Sequence, residues 1–193
     1  MLVRDDKGRW PMPDDIPFVT ITRARIDLDR DLFFRRMLRE LAGTIEAIVG
    51  REEASGYVAA VGAAMGDWIN AAYHAEMGPD DFDLQTVASV FIDLKRRIEG
   101  GFYVISLDSK RIVLGNRQCP FGEHVFDRPS LCMMTSNVFG RIAADNLGYA
   151  RVQLDETIAQ GAPECRIIVH LVRDQDAEPH EREYFRLSAE MDD

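Results

Sequence analysis

The chain has 193 residues, 46% of them hydrophobic and 29% charged, enough apolar material for one domain with a core of its own. Thirty-three Asp and Glu against 23 Lys and Arg leave a net charge of −10, which argues against a general nucleic-acid binder and against docking on anionic membranes. No apolar run reaches the roughly 18 residues of a membrane span and the N-terminus carries no apolar signal stretch, so a cytoplasmic location is expected.

Residues 1–16 are polar and proline-bearing and read as a flexible arm. Residues 17–188 are expected to form a single domain, and 189–193 a disordered acidic tail. Phe18–Ile26 alternates in the manner of a short strand. A helix is predicted from about Asp29 to Val49, with Phe33, Phe34, Met37, Leu38, Leu41, Ile45 and Ile48 as its apolar stripe and Gly50 as its stop. A second helix follows from about Glu52 to Tyr73. Gly56, Gly62 and Gly66, with several alanines, make one side of it nearly smooth, and each glycine costs about 1 kcal/mol against alanine. Close approach of another helix is the simplest compensation.

Asp80 or Asp81 is expected to cap a third helix through Ile98, striped by Phe82, Leu84, Val87, Val90, Phe91 and Leu94. Its Lys95-Arg96-Arg97 end reads as solvated, and so does the acid cluster at 80–83. Past Gly100–Gly101, two β-branched runs around Asp108-Ser109-Lys110 predict a hairpin. A loop then leads to a fourth helix, about Leu131–Asn146, followed by strands at Tyr149–Glu156 and Cys165–Val172 and a short strand near Tyr184–Leu187. A helical half preceding a strand-rich half makes the fold class α+β, with N-terminal helices packed on an antiparallel sheet and one inserted helix.

The sequence lacks the phosphate-binding, dinucleotide-binding, metalloprotease and serine-hydrolase motifs. What stands out is Cys119-Pro120-Phe121-Gly122-Glu123-His124, then Cys132, then Cys165. An odd cysteine count without a signal segment argues against disulfides. Three thiolates brought together repel one another unless a cation neutralises them, so convergence would imply a metal. His124 or Glu156 offers a fourth ligand to zinc, and an iron–sulfur cluster is the alternative. Three separately buried thiols are the plainer reading. The Cys119-Pro120 pair alone is too short a signal to argue for haem. Trp68, Tyr73 and His74, near Phe102 and Tyr103, are candidates for lining an apolar ligand pocket, or else ordinary core.

The stretch from Cys119 to Leu171, with REEASGYVAAVGAAMGDWIN and VFIDLKRRIEGGFYVISLDSKRIVL upstream, resembles the methanogen output domain family over roughly Asp29–Leu171. That family is similar in pattern to the four-vinyl-reductase, or hydrocarbon-binding, domains. The resemblance implies a four-vinyl-reductase-like fold, a sensory or output role in signalling, and often a homodimer through the helices. It also implies zinc ligands at Cys132, Glu156 and Cys165. The relatives carry a further cysteine between the Glu and the last Cys, which Thr157–Glu164 lacks here, so Cys119 would have to replace it.

The expected function is therefore a regulatory domain that binds a metal or small ligand and acts on a partner such as a histidine kinase or a transcription regulator. Two other readings stand beside it. One is a cysteine-dependent enzyme using Cys132 with His124 or His170 and Glu156 as orienter. The other is a structural zinc adaptor.

Overall fold

The computed structural model describes residue 6, residues 25–173 and residues 182–186. The predicted arm, the acidic tail and all but the last two residues of the predicted strand at Phe18–Ile26 lie outside the described part or rest on residue 6 alone. Arg25 and Ile26 belong to no strand.

Asp29 accepts a hydrogen bond from the Leu32 amide at 2.7 Å and so starts helix α1, Arg30–Val49. Gly50, at φ 85°, ends it and leads at once into α2, Arg51–Met77. The third helix, α3, spans Leu84–Arg97. Its cap is Asp83, accepting from Thr86 at 2.8 Å, rather than the predicted Asp80 or Asp81. The reason is that Phe82 precedes the helix and is pinned elsewhere, its amide donating to Asn146 Oδ1 at 2.9 Å.

Strands β1 (Phe102–Asp108) and β2 (Arg111–Asn116) form the predicted hairpin. Two short 3-10 turns, Gly122–Val125 and Pro129–Leu131, lead into α4, Cys132–Leu147. β3 (Tyr149–Glu156), a third 3-10 turn (Ile158–Gln160), β4 (Cys165–His170) and β5 (Arg182–Phe185) complete the described elements. The sheet is antiparallel throughout, in the order β1-β2-β4-β3-β5. The described part is thus α+β: four helices with a five-stranded sheet, α4 being the helix inserted between the strands.

The main core lies between one face of the sheet and α3 with α4. Phe91 and Phe139 stack at 4.2 Å inside it, among Ile112, Leu114, Ile142, Ile167 and Val169. The smooth side of α2 packs on α4, as the sequence suggested. A Cβ on Gly62 would stand 2.8 Å from Asn137 Cβ, and one on Gly66 2.8 Å from Arg141 Cβ, so only glycine admits this approach.

The predicted stripe of α1 behaves otherwise. Phe33, Phe34, Leu41 and Ile48 are exposed, Ile48 at 75%. On α2, Tyr57, Val61 and Trp68 are exposed as well. Only Ala42 of α1 is buried, in a second, smaller core with Val125, Leu131 and Ala159. Cys119, Phe121, Cys132 and Ile158 pack against that small core, whereas Cys165 packs against the main one.

Candidate functional site: a three-cysteine cavity

The end of the sheet where β1 and β4 begin and β2 ends is set by the register Phe102↔Asn116↔Cys165. Cys165 is therefore fixed by strand pairing. Cys119 comes from the loop after β2, and Cys132 is the first residue of α4. The three meet on one small cavity of about 30 Å³ with an open mouth. Its walls are Phe102, Phe121, Val125, Leu131, Leu154 and Ile167, with Asn116, Thr135 and Thr157 as the polar groups and Pro120 at the rim loop.

Hydrogen-bond donors meet the Cys165 sulfur directly. Cys165 Sγ accepts from the Ile158 amide at 3.4 Å and from Asn116 Nδ2 at 3.8 Å. The Thr157 hydroxyl lies beside Cys132 but donates its proton to Gln160 Oε1 at 2.9 Å, and the Phe121 amide lies beside Cys119. Donors of this kind favour thiolate over thiol. Burial opposes them: it pushes the Cys132 thiol up to about 12, helped by the nearness of Cys165 and Cys119, and it raises the Cys119 thiol too. The first turn of a helix, where Cys132 stands, ordinarily favours a thiolate. Desolvation outweighs that, and the Cys132 amide is already engaged by the Pro129 and Ser130 carbonyls.

The other candidates stand apart. Glu156 is exposed and pairs in register with Arg166. A bulge between Leu154 and Glu156 interrupts the alternation of β3, leaving Leu154 and Thr157 as the cavity-lining residues. His124 sits in the first 3-10 turn and does not line the cavity. His170 is at the far end of β4, with its Nε2 3.1 Å from Gln153 Oε1. Of the aromatic candidates, Phe102 alone lines the cavity. Trp68 is 65% exposed. Tyr73 donates to Asp93 at 2.7 Å, and His74 stacks on Phe82 at 4.1 Å. Tyr103 donates to Glu164 at 2.9 Å under the Arg117 guanidinium.

Among the described residues, no three His, Cys, Asp or Glu side chains form a group that could hold a metal ion. The chemistry of the donor set suits a thiophilic ion, but gripping one requires the sulfurs to draw closer.

Helix α1 holds the cysteine loop from outside. Arg39 Nη1 donates to the carbonyls of His124 and Phe126 at 2.7 and 2.6 Å. Glu46 accepts from Ser130 and faces Arg128 at 3.8 Å, while Arg35 is tied to Asp31 and Glu99 beside Gly122.

One functional group escaped the sequence reading. Lys95 was expected to be solvated with Arg96 and Arg97, yet it is 4% exposed and its Nζ donates to the cavity residue Thr135 at 2.8 Å. The signal was in the spacing: Val87, Phe91 and Lys95 fall four apart on the buried face of α3.

Residues 37–170, well over half of the chain, match the family model of methanogen output domain 1. The chain belongs to that family. No curated protein matches it. The description of methanogen output domain 1 fits a role in signalling output. No helix among the described residues is long and apolar enough to cross a membrane.

Proposed function

We propose that this methanogen output domain is a sensing module in which Cys119, Cys132 and Cys165 take up a thiophilic metal ion, zinc first, and pass the event to a partner protein. The observation that carries the reading is the convergence of three sulfurs from a loop, a helix start and a strand start on one cavity, with Cys165 accepting two hydrogen bonds there. The resident ion would supply charge neutralisation that lets all three sulfurs lose their protons in an apolar setting. An iron–sulfur cluster would use the same thiolates.

Drawing Cys119 inward pulls on the loop gripped by Arg39, and so reaches α1. The exposed apolar residues of α1 and α2 offer the surface for the response; a second copy of the chain is the proposed occupant, in a homodimer. The further partner, a histidine kinase or transcription regulator, and the relation to four-vinyl-reductase domains rest on the family resemblance. The enzyme reading is less well supported, since the Cys132 thiol is held high and neither His124 nor His170 lines the cavity.

Element analysis of protein purified without chelator tests the proposal. One zinc per chain, lost in Cys119→Ala, Cys132→Ala and Cys165→Ala alike, is expected; visible absorption with iron selects the cluster instead. Protein that is metal-free and gains no metal on titration with zinc overturns it. In the same preparations, Phe33→Ser should lower self-association in sedimentation without unfolding the chain.

A further inference from the structure

Among the described residues, Lys95 is a buried cation with no carboxylate bonded to it. Its side chain is 4% exposed, and its ammonium stands 5.0 Å from the Phe102 ring centre and 5.1 Å from that of Phe139. Its hydrogen bond goes to a neutral hydroxyl, Thr135 Oγ1 at 2.8 Å. The titratable groups that act on it are the thiols of Cys119, Cys132 and Cys165, which offer it negative charge only once deprotonated. Burial pulls the amine down to about 8, which leaves it largely protonated at neutral pH. Two ring contacts and one hydroxyl do not replace the hydration of an ammonium ion. What would compensate it is negative charge arising in the cavity next door, whose wall it shares through Phe102 and Thr135.

The sign of that charge depends on the ion. When three thiols bind a divalent ion, three protons leave to solvent and the tris-thiolate complex carries one net negative charge, which one ammonium cancels. Arsenious acid exchanges its three hydroxyls for the three sulfurs, each thiol proton leaving with a hydroxyl as water, so the product is neutral and the ammonium beside it stays uncompensated. In a low-dielectric cavity this difference counts for far more than it would in water. Resting on the metal reading above, we propose that Lys95 is the fixed counter-charge of the three-cysteine cavity and makes it selective for divalent thiophilic ions, of the zinc and cadmium class, over trivalent arsenic.

Wild type and Lys95→Met, both reduced, are titrated with cadmium and separately with arsenite, following sulfur-to-ligand absorption in the ultraviolet. Lys95→Met should weaken cadmium by roughly 10–100-fold, the usual effect of removing a group that supports a metal's ligands. Arsenite should bind the variant as well as the wild type or better. The metal-free variant should unfold at the same temperature or higher, because it loses an uncompensated charge, a change opposite in sign to its cadmium defect. Equal weakening of both ions, or unchanged cadmium affinity, overturns the role of Lys95 while leaving the metal site standing. A wild type that binds neither ion removes both proposals. Should Lys95→Met fail to fold, Lys95→Gln, which keeps a donor toward Thr135, carries the same comparison.

Discussion

The two hydrophobic cores of this molecule are built differently. The large one sits between the sheet and α3 with α4, and its members come from regular elements with clear periodicity. The small one gathers Ala42 of α1, Val125 and Leu131 near the 3-10 turns, and Ala159, and it is held as much by Arg39, Glu46 and Arg128 as by apolar contact. The cysteine cavity lies at their junction, with Cys165 on the large core and Cys119 and Cys132 on the small one. In the proposed sensing role, a ligand bound there would touch both cores at once and so link the strand wall to the loop gripped by α1. That is the physical requirement for a sensor, because a site with both walls fixed would bind without reporting.

The sharpest way to separate the cores is to truncate each. Phe139→Ala removes a fully buried ring that stacks on Phe91 and should cost roughly 3–5 kcal/mol in denaturant unfolding, with all probes moving together. Leu131→Ala should cost less, about 2–3 kcal/mol, because the turns around it can settle into the space. Its signature should be local: Cys119 and Cys132 become faster to label with iodoacetamide, while Cys165 stays slow. Uniform acceleration of all three would mean that the two cores unfold as one.

A smaller effect tests the brace between α2 and α3, on the large-core side. The Asp93 carboxyl is held at about 2, first by the Tyr73 hydroxyl and then by Arg97, with Arg96 adding to it. Its folded pKa is depressed from 3.8, so its stabilisation is present above about pH 4 and is lost as pH falls through 2. Asp93→Asn should flatten that acid limb, by about 1 kcal/mol given the partial exposure of the pairs. An unchanged acid limb would show that the brace adds nothing.

Much of the fold was legible because its elements declare themselves locally. Apolar spacing located all four helices, and the turn at 108–110 located the hairpin; β3 came out with the predicted ends. The smooth side of α2 announced a close helix, although not that α4 would be it. Asp83 rather than its neighbours became the cap because Asn146, 64 residues away, holds Phe82. The site was half legible. Residue type drew attention to the cysteines, but Lys95 looked like its exposed neighbours because charge, not position on the stripe, governed the reading.

The amino-acid sequence alone determined which segments are helix and which are strand, since those follow from backbone preference and from apolar period within a few residues. It also determined the chemistry on offer: three thiols and an acidic surface. Tertiary structure decided who meets whom. It turned much of the apolar side of α1 outward, left Glu156 and His124 out of the cavity wall, and bonded Lys95 to the cavity residue Thr135. Those outcomes depend on strand register, a bulge and packing between distant elements, and a neighbour far away along the chain leaves no mark in the local pattern.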